Sequence, residues 1–245
     1  MRSALQTFLL VILLIIPAIV NAGPPYDTDD PEPVDFEHWE LYFSSIGTIN
    51  TSVISGTAPH VEVNYGALPN LQIHVIAPLS FYSAKPDKTN YGYGDTEFGI
   101  KYRFINKDSG KLQVGIFPLI EFPTGNTEEH LGNGKPQIYV PLWIQKKIRK
   151  WTTYGGGGYW INPGTGNKNY EFIGWQQQYQ FSKSVNIGTE IYYITASQAG
   201  GSSDLRFRIG SVIDFSDNHH LLLSVGRSII GDTNLLWYVG YQFTI

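Results

Sequence analysis

Trp237-Tyr238-Val239-Gly240-Tyr241-Gln242-Phe243-Thr244-Ile245 ends the chain and alternates between two kinds of residue. Successive side chains of a β-strand point to opposite faces, so the odd-numbered residues give one wholly apolar and aromatic face. Chain ends are usually frayed and polar. The last strand of an outer-membrane barrel instead pairs with the first strand and turns an apolar face to lipid. The alternation therefore predicts a transmembrane β-barrel.

The beginning of the chain has the pattern of a secretory signal peptide. Arg2 supplies a positive charge, residues 8–16 are almost entirely apolar, and Pro17 ends that run. Residues with small or medium-sized side chains then precede a predicted cleavage site after Ala22. This site assigns residues 1–22 to the signal peptide. The alternative is a transmembrane anchor, but the apolar run is shorter than the ~20 residues that a helical span needs. Strands are therefore expected to cross the membrane.

The composition agrees with an exported all-β protein. Aromatic residues make up 14% of the chain and glycines number 26, which favours strands and turns over helices. Cysteine is absent, so a small disulfide-stapled domain is excluded. The formal net charge of −4 argues against a nucleic-acid-binding protein.

Residues 23–37 form an acidic, proline-rich segment that fits neither a helix nor a strand. One interpretation is a plug that enters the barrel and meets the basic residues Lys101, Arg103, Arg206 and Arg208. The other is a solvated tail on the periplasmic side. The EF-hand pattern is missing, so no metal site is expected. The candidate plug residues are Asp27, Asp29, Asp30 and Glu32.

Residues 38–245 divide into segments of roughly ten residues with alternating character, which is typical of barrel strands. The pattern predicts an antiparallel barrel of about twelve strands with short periplasmic turns and longer extracellular loops. The predicted strands are 38–48, 57–67, 70–80, 93–104, 111–122, 136–146, 151–161, 169–181, 185–196, 204–214, 219–229 and 234–245.

Charged residues indicate which face of each strand points inward. In the fourth strand Phe98, Ile100 and Tyr102 alternate with Glu97 and Lys101. A Lys or Arg on the lipid face near the midplane costs ~2–4 kcal/mol, so the charged face is expected to line the lumen. Among the residues predicted to face lipid, bulky aromatic ones collect at the same end of the strands. This position predicts an interfacial girdle. Its members are Trp39, Phe104, Trp151, Phe181, Phe215 and Phe243.

Several motifs resemble a family of bacterial outer-membrane proteins that is labelled as belonging to a MetA pathway of phenol degradation, or simply as transporters. The resemblance covers nearly the whole predicted mature chain. It implies a barrel that takes up or exports small molecules, aromatic ones among them, and it implies no set of catalytic residues. The motifs are Pro24-Pro25-Tyr26-Asp27-Thr28-Asp29-Asp30-Pro31-Glu32-Pro33, His38-Trp39-Glu40, Glu62-Val63-Asn64-Tyr65-Gly66, Gly94-Asp95-Thr96-Glu97, Lys101-Tyr102-Arg103-Phe104, Phe117-Pro118 and Pro123-Thr124-Gly125.

Charged residues at predicted lumen positions are the main candidate site. They could line a polar conduit for a permeant molecule. They could equally form salt bridges that hold a narrow barrel closed, since an unpaired buried charge is costly. The candidates are Glu62, Asp95, Glu97, Lys101, Arg103, Glu121, Glu190, Arg206, Arg208 and Asp214.

These patterns predict a passive channel or transporter for small molecules in the outer membrane of a Gram-negative bacterium. It is gated by residues 23–37 or by the loop at 123–135. One alternative is a closed structural or adhesion barrel without transport; a less favoured one is a lipid-modifying enzyme. No Gly-x-Ser-x-Gly elbow is present and no Ser–His pair is readable, so no catalytic residues and no cofactor are expected. The expected partners are outer-membrane lipid, a small permeant molecule and, through residues 237–245, the barrel-assembly machinery.

Overall fold

The computed structural model describes residues 23–84, 88–107 and 111–245. The predicted signal peptide, residues 1–22, lies outside these residues. Fourteen β-segments form one sheet in which neighbours pair antiparallel, and the sheet closes on itself. Two pairs of segments are interrupted strands, so the barrel has 12 strands. The predicted fold class is confirmed.

The strands follow the predicted segments closely. Most observed ends lie within a few residues of the predicted ones, and the segments Val53–Leu68, Leu71–Ala84 and Asn90–Tyr93 extend the predicted strands at one end of the barrel. The segments are β1 Trp39–Ile49, β2 Val53–Leu68, β3 Leu71–Ala84, β4 Asn90–Tyr93, β5 Thr96–Lys107, β6 Leu112–Ile116, β7 Leu119–Phe122, β8 Gln137–Ile148, β9 Trp151–Ile161, β10 Tyr170–Gln180, β11 Val185–Ile194, β12 Asp204–Ser216, β13 His219–Ile230 and β14 Leu235–Thr244.

Two strands of the barrel wall are interrupted along their length. β4 and β5 both pair with β3 and are separated by Gly94 and Asp95. β6 and β7 both pair with β5 and β8 and are separated by Phe117 and Pro118. A proline has no N–H to donate. Pro141 lies inside β8 beside this second interruption, where the neighbouring ladder is already broken.

The last strand closes the barrel by pairing with the first one. Phe43 of β1 lies opposite Tyr241 of β14, and the ladder runs along the whole of both strands. Val239 and Tyr241 are exposed on the outer wall, whereas Tyr238 and Gln242 are buried on the inner wall. The alternation read from residues 237–245 therefore has the predicted direction, with the apolar face outward.

The two ends of the barrel differ in their connections. The short-turn end carries the turns at 69–70, 149–150, 181–184 and 217–218, together with the beginning of β1 and the end of β14. The long-loop end carries the connections 123–136, 162–169 and 195–203. The predicted girdle residues lie at the short-turn end, and all except Phe243, which is half-buried, are exposed there. This position matches that of interfacial aromatic rings.

The interior of the barrel is polar, the reverse of a water-soluble fold. Buried glutamines and charged residues such as Gln113, Gln176 and Arg208 occupy inward positions, and large apolar side chains such as Ile173 are exposed on the outer wall. A smaller apolar cluster of Tyr42, Val212, Leu222 and Tyr238 covers one part of the inner wall. No helix within the described residues is long and apolar enough to cross a membrane.

Candidate functional site

Of the N-terminal segment, residues 23–37, the part from residue 23 to residue 34 lies inside the barrel, and residues 35–37 are exposed beside the beginning of β1. Thr28 and Asp30 are both 0% exposed, and Tyr26 and Val34 are also buried. From the beginning of β1 at the short-turn end the segment runs up the lumen, so that Tyr26 reaches the middle of β11 and β12 beside Gly188 and Gly210. Its bonding partners are spread around the barrel wall on β3, β5, β8, β11, β12 and β13.

Three ion pairs join the acidic side chains of the segment to basic side chains of the wall. Asp27 Oδ2 lies 2.7 Å from Arg208 Nη2, and Asp29 Oδ1 lies 2.9 Å from Lys101 Nζ. Glu32 Oε2 lies 2.6 Å from Lys147 Nζ. Because Lys101 and Arg208 are almost fully buried, each would be costly without an acidic partner. The segment therefore neutralises Lys101, Lys147 and Arg208.

Wall side chains also bind the backbone of the segment. Glu190, itself buried, accepts hydrogen bonds from the backbone N–H groups of Thr28 and Asp27. The carbonyl of Pro25 accepts bonds from Arg208 Nη1 at 3.0 Å and from Ser224 Oγ at 2.6 Å. These bonds satisfy backbone groups of a chain that has no secondary structure of its own. The segment is therefore held in the lumen by hydrogen bonds to its backbone as well as by ion pairs to its charged side chains.

Glycines in the wall make room for the segment. A Cβ atom at Gly188 would lie 2.5 Å from the hydroxyl of Tyr26, and one at Gly174 would lie 2.1 Å from Thr28 Oγ1. Both distances are below any normal contact, so a larger side chain at either position would displace the segment. The inner wall and the segment are therefore complementary in shape.

Asp30 differs from its acidic neighbours because no basic side chain among the described residues forms an ion pair with it. Its Oδ1 accepts a hydrogen bond from the N–H of Glu32, and its Oδ2 is buried without a partner among the described residues. Burial raises the pKa of Asp30, and the Asp29 and Glu32 carboxylates add to the shift against the opposing effect of Lys101. Burial also disfavours the charged form of Glu32, but Lys147 with the hydrogen bonds from Gln145 and Gln113 outweighs it and lowers the pKa of Glu32.

Of the basic residues expected to meet the segment, Lys101 and Arg208 do so and two others have different partners. Arg103 donates to Asn70 Oδ1 and, at 2.7 Å, to Gln113 Oε1. Arg206 pairs with Asp204 at 2.8 Å. Both bind wall residues of the barrel, one near each end of the lumen.

The predicted acidic residues separate into groups along the barrel. Asp214 pairs with His220 near the short-turn end at 2.7 Å. In the other half Glu62 and Glu97 both lie beside His74. Asp95 accepts the N–H groups of Gly125 and Asn133 and so holds the loop at 123–136, while Asn133 Nδ2 donates to Glu121 at 3.3 Å.

A cavity of about 410 Å³ remains between the N-terminal segment and the long-loop end. Residues 23–29 form its floor, and Glu62, His74 and Glu97 line one side. Aromatic rings from β6–β7 and β8–β11 line much of the rest. They are Phe117, Tyr139, Trp143, Trp160, Tyr170, Phe172 and Tyr192.

This aromatic wall is ordered by stacking across neighbouring strands. The ring centroids of Tyr139 and Trp160 lie 4.7 Å apart, and those of Trp160 and Tyr170 lie 5.6 Å apart. A Cβ atom at Gly158 would lie 2.7 Å from the Tyr139 ring, which shows why glycines occupy β9 here. Sequence reasoning missed this wall, because Tyr139 and Trp143 alternate with Val140 and Leu142 and both faces of β8 are apolar. The inward-facing Gly156 and Gly158 were the available signal.

No group of three or more His, Cys, Asp or Glu side chains within the described parts of the chain is arranged to hold a metal ion. The polar side chains of the lumen are instead engaged mainly with one another and with the N-terminal segment. The contacts made in the lumen are ion pairs, hydrogen bonds and stacked aromatic rings.

Comparison with known proteins relates the chain to bacterial barrels by structure alone. The COG4313 outer membrane channel from Pseudomonas putida F1 superposes with a TM-score of 0.72 at 15% identity, covering 90% of this chain and 100% of that one. The KdgM porin gives a TM-score of 0.58 at 11% identity, covering 83% of this chain and 98% of that one. The NanC porin gives 0.58 at 7% identity with the same coverage.

At such low sequence identities, the similarity to these solved structures establishes the fold alone. No family model matches the sequence, and no curated protein matches it either. The resemblance to the family labelled for phenol degradation therefore stays a prediction. The chain has the fold of bacterial outer-membrane channels and porins.

Proposed function

We propose that the protein is an outer-membrane channel of a Gram-negative bacterium, passing small molecules by passive diffusion, and that residues 23–37 act as its plug. The observation that carries this proposal is the set of bonds between the segment and the wall around the lumen, through Asp27–Arg208, Asp29–Lys101 and Glu32–Lys147. A segment held mainly by ion pairs and hydrogen bonds can be released without unfolding the barrel ladder.

The plug divides the lumen into two unequal parts. The cavity of about 410 Å³ lies above it, within the size range of small-molecule sites. Below it the lumen is occupied by residues 29–34, whose bonds to Lys101, Gln145, Lys147 and Gln72 cross the short-turn half. A solute that enters from the long-loop end is therefore retained until the segment moves. The loop at 123–136, held by Asp95, is a second movable element at the entrance.

The outer wall supports the membrane location. Apolar side chains such as Ile173, Ile209 and Val239 are exposed in the middle of their strands, and the aromatic girdle lies at the short-turn end. Lipid is the natural neighbour of such a surface. Residues 237–245, which include most of the closing strand β14, are the segment proposed to bind the barrel-assembly machinery, and their exposed alternate residues are Val239, Tyr241 and Ile245.

Osmotic swelling of proteoliposomes tests the channel proposal. Vesicles that contain the full chain, or its Lys101→Gln variant, are diluted into neutral solutes of increasing mass, and the swelling rate is compared with that of protein-free vesicles. The proposal predicts swelling with small solutes only, and faster swelling for Lys101→Gln. Absence of swelling in both samples, with the barrel shown to be folded by its heat-sensitive electrophoretic mobility, would favour the closed structural or adhesion barrel.

A further inference from the structure

The half of the lumen nearest the long loops carries an excess of negative charge. Glu62 and Glu97 line the cavity from neighbouring parts of the wall, and both are close to the same imidazole. His74 Nε2 lies 2.8 Å from Glu97 Oε1. His74 Nδ1 lies 2.6 Å from Asn64 Oδ1 and 3.5 Å from Glu62 Oε1. Even with both ring nitrogens protonated, the form that two oxygen acceptors favour, His74 supplies one positive charge against two carboxylates.

Neighbouring residues do not cancel this excess. The residue directly opposite Glu97 on the paired strand is Glu121, another acidic residue and not a basic partner. Arg206 also lines this cavity, but it is paired with Asp204 at 2.8 Å and stands over the ring of Tyr192 at 5.8 Å. The other wall cations that line the lumen pair with the N-terminal segment or lie toward the short-turn end. A cationic solute is therefore favoured in this half of the lumen.

The opposite wall holds two buried hydrogen-bond donors without partners. The hydroxyl of Tyr139 and the indole N–H of Trp143 make no hydrogen bond within the described residues, although both side chains are more than nine-tenths buried. Both residues line the same cavity as Glu62 and Glu97. A buried donor without an acceptor is costly, so an acceptor oxygen that reached these two groups would stabilise both.

We propose that this cavity is a binding site for a small organic cation: an amine that also carries a planar apolar group and a hydroxyl or carbonyl oxygen. Glu97 and Glu62 bind the ammonium group, and the aromatic wall contacts the planar group. Tyr139 and Trp143 donate to the oxygen. The proposal rests on the proposed function only in that the same lumen gives access to the site.

Isothermal titration calorimetry on the detergent-solubilised full chain tests this assignment without requiring transport. Three probes share one ring and one chain length and differ in charge: 2-(4-hydroxyphenyl)ethylammonium, 2-(4-hydroxyphenyl)ethanol and 4-hydroxyphenylacetate. The ammonium probe is expected to bind at least about tenfold more tightly than the alcohol, because a hydrogen bond to a charged group is worth at least that factor. The acetate is expected not to bind detectably.

Single substitutions test the acidic side and the aromatic side of the cavity separately. Glu97→Gln is expected to weaken binding of the ammonium probe by about tenfold or more. Tyr139→Phe is expected to weaken binding of that probe but not of 2-phenylethylammonium, which lacks the hydroxyl. Glu171→Gln is the matched control, because Glu171 is exposed on the outer wall at the same end of the barrel.

Equal affinity for the ammonium and acetate probes would overturn the proposal, as would unchanged binding in Glu97→Gln. Proteoliposome swelling then separates this proposal from the channel itself. Binding that depends on Glu97 in a protein without solute flux would support the site and count against the channel. Flux in a protein that does not discriminate among the three probes would support the channel and overturn the site.

Discussion

Replacement of Asp29 by asparagine is expected to release the N-terminal segment from the lumen. Asp29 Oδ1 lies 2.9 Å from Lys101 Nζ, and the two side chains are 19% and 5% exposed. The substitution keeps the size of the side chain but removes its charge. Lys101 then remains buried with a weaker partner.

The size of the effect follows from the burial of the pair. Removing one partner of a fully buried ion pair costs about 3–5 kcal/mol, and a hydrogen bond to a charged group contributes about 1.5–3 kcal/mol. Asp29 is partly exposed, and the Asp30 and Glu40 carboxylates also act on Lys101. We therefore expect a loss of about 2 kcal/mol in docking free energy, or a roughly 30-fold larger undocked fraction.

Thiol labelling measures that fraction directly. The chain contains 0 cysteines, so a single cysteine can be introduced at Thr28, which is fully buried inside the barrel. When docking and undocking are fast relative to labelling, the labelling rate is proportional to the undocked fraction. In the Thr28→Cys background, Asp29→Asn is expected to accelerate labelling by roughly 30-fold.

Asp35→Asn is the matched control, since Asp35 belongs to the same segment but is exposed. It removes the same charge without touching the Lys101 pair. Equal labelling rates in the parent and Asp29→Asn would refute the reasoning, and so would equal acceleration by both substitutions. The latter result would mean that the net charge of the segment, rather than its contact with Lys101, holds it in place.

The remaining predictions concern other contacts of the segment and the outer wall. Because burial raises the pKa of Asp30, the contribution of Asp30 to docking is present at low pH and is lost as pH rises through that pKa. Asp30→Asn should remove this contribution, so the labelling rate of the Thr28→Cys parent relative to the Asp30→Asn variant should rise with pH. Gly188→Val should displace Tyr26 and increase labelling, whereas a labelling rate equal to the parent's would show that the segment does not need this space. Ile209→Arg places a charge on the exposed outer wall and should lower the free energy of unfolding in lipid by about 2–4 kcal/mol, measured from urea titrations; no loss would count against lipid contact there.

Much of the barrel could be predicted because membrane strands follow a simple rule. Alternation in segments such as Thr96–Lys107 assigns one face to lipid and the other to the lumen, and charged residues such as Lys101 identify the inner face. β10 was the exception, since Gln176, Gln177, Gln178 and Gln180 make both faces polar. In the structure Gln176 and Gln178 are buried inside the lumen, while Gln177 is half-buried on the other face.

The contents of the lumen could be predicted only in part. The opposite charges of residues 23–37 and the inner wall suggested contact, and Asp27 and Asp29 do meet Arg208 and Lys101. The choice of partners depends on strand register and depth, which is why Arg103 and Arg206 bind elsewhere. The aromatic wall depends on rings from four neighbouring strands, and no single strand reveals it.

Conductance in planar lipid bilayers tests the central claim, that residues 23–37 obstruct an otherwise open lumen. The full chain is compared with a variant that lacks residues 23–37 and with one in which they are replaced by a glycine–serine segment of equal length. Both variants are expected to form discrete channels of larger conductance than the full chain. Conductance that is the same in all three proteins, with each barrel folded, would contradict the claim.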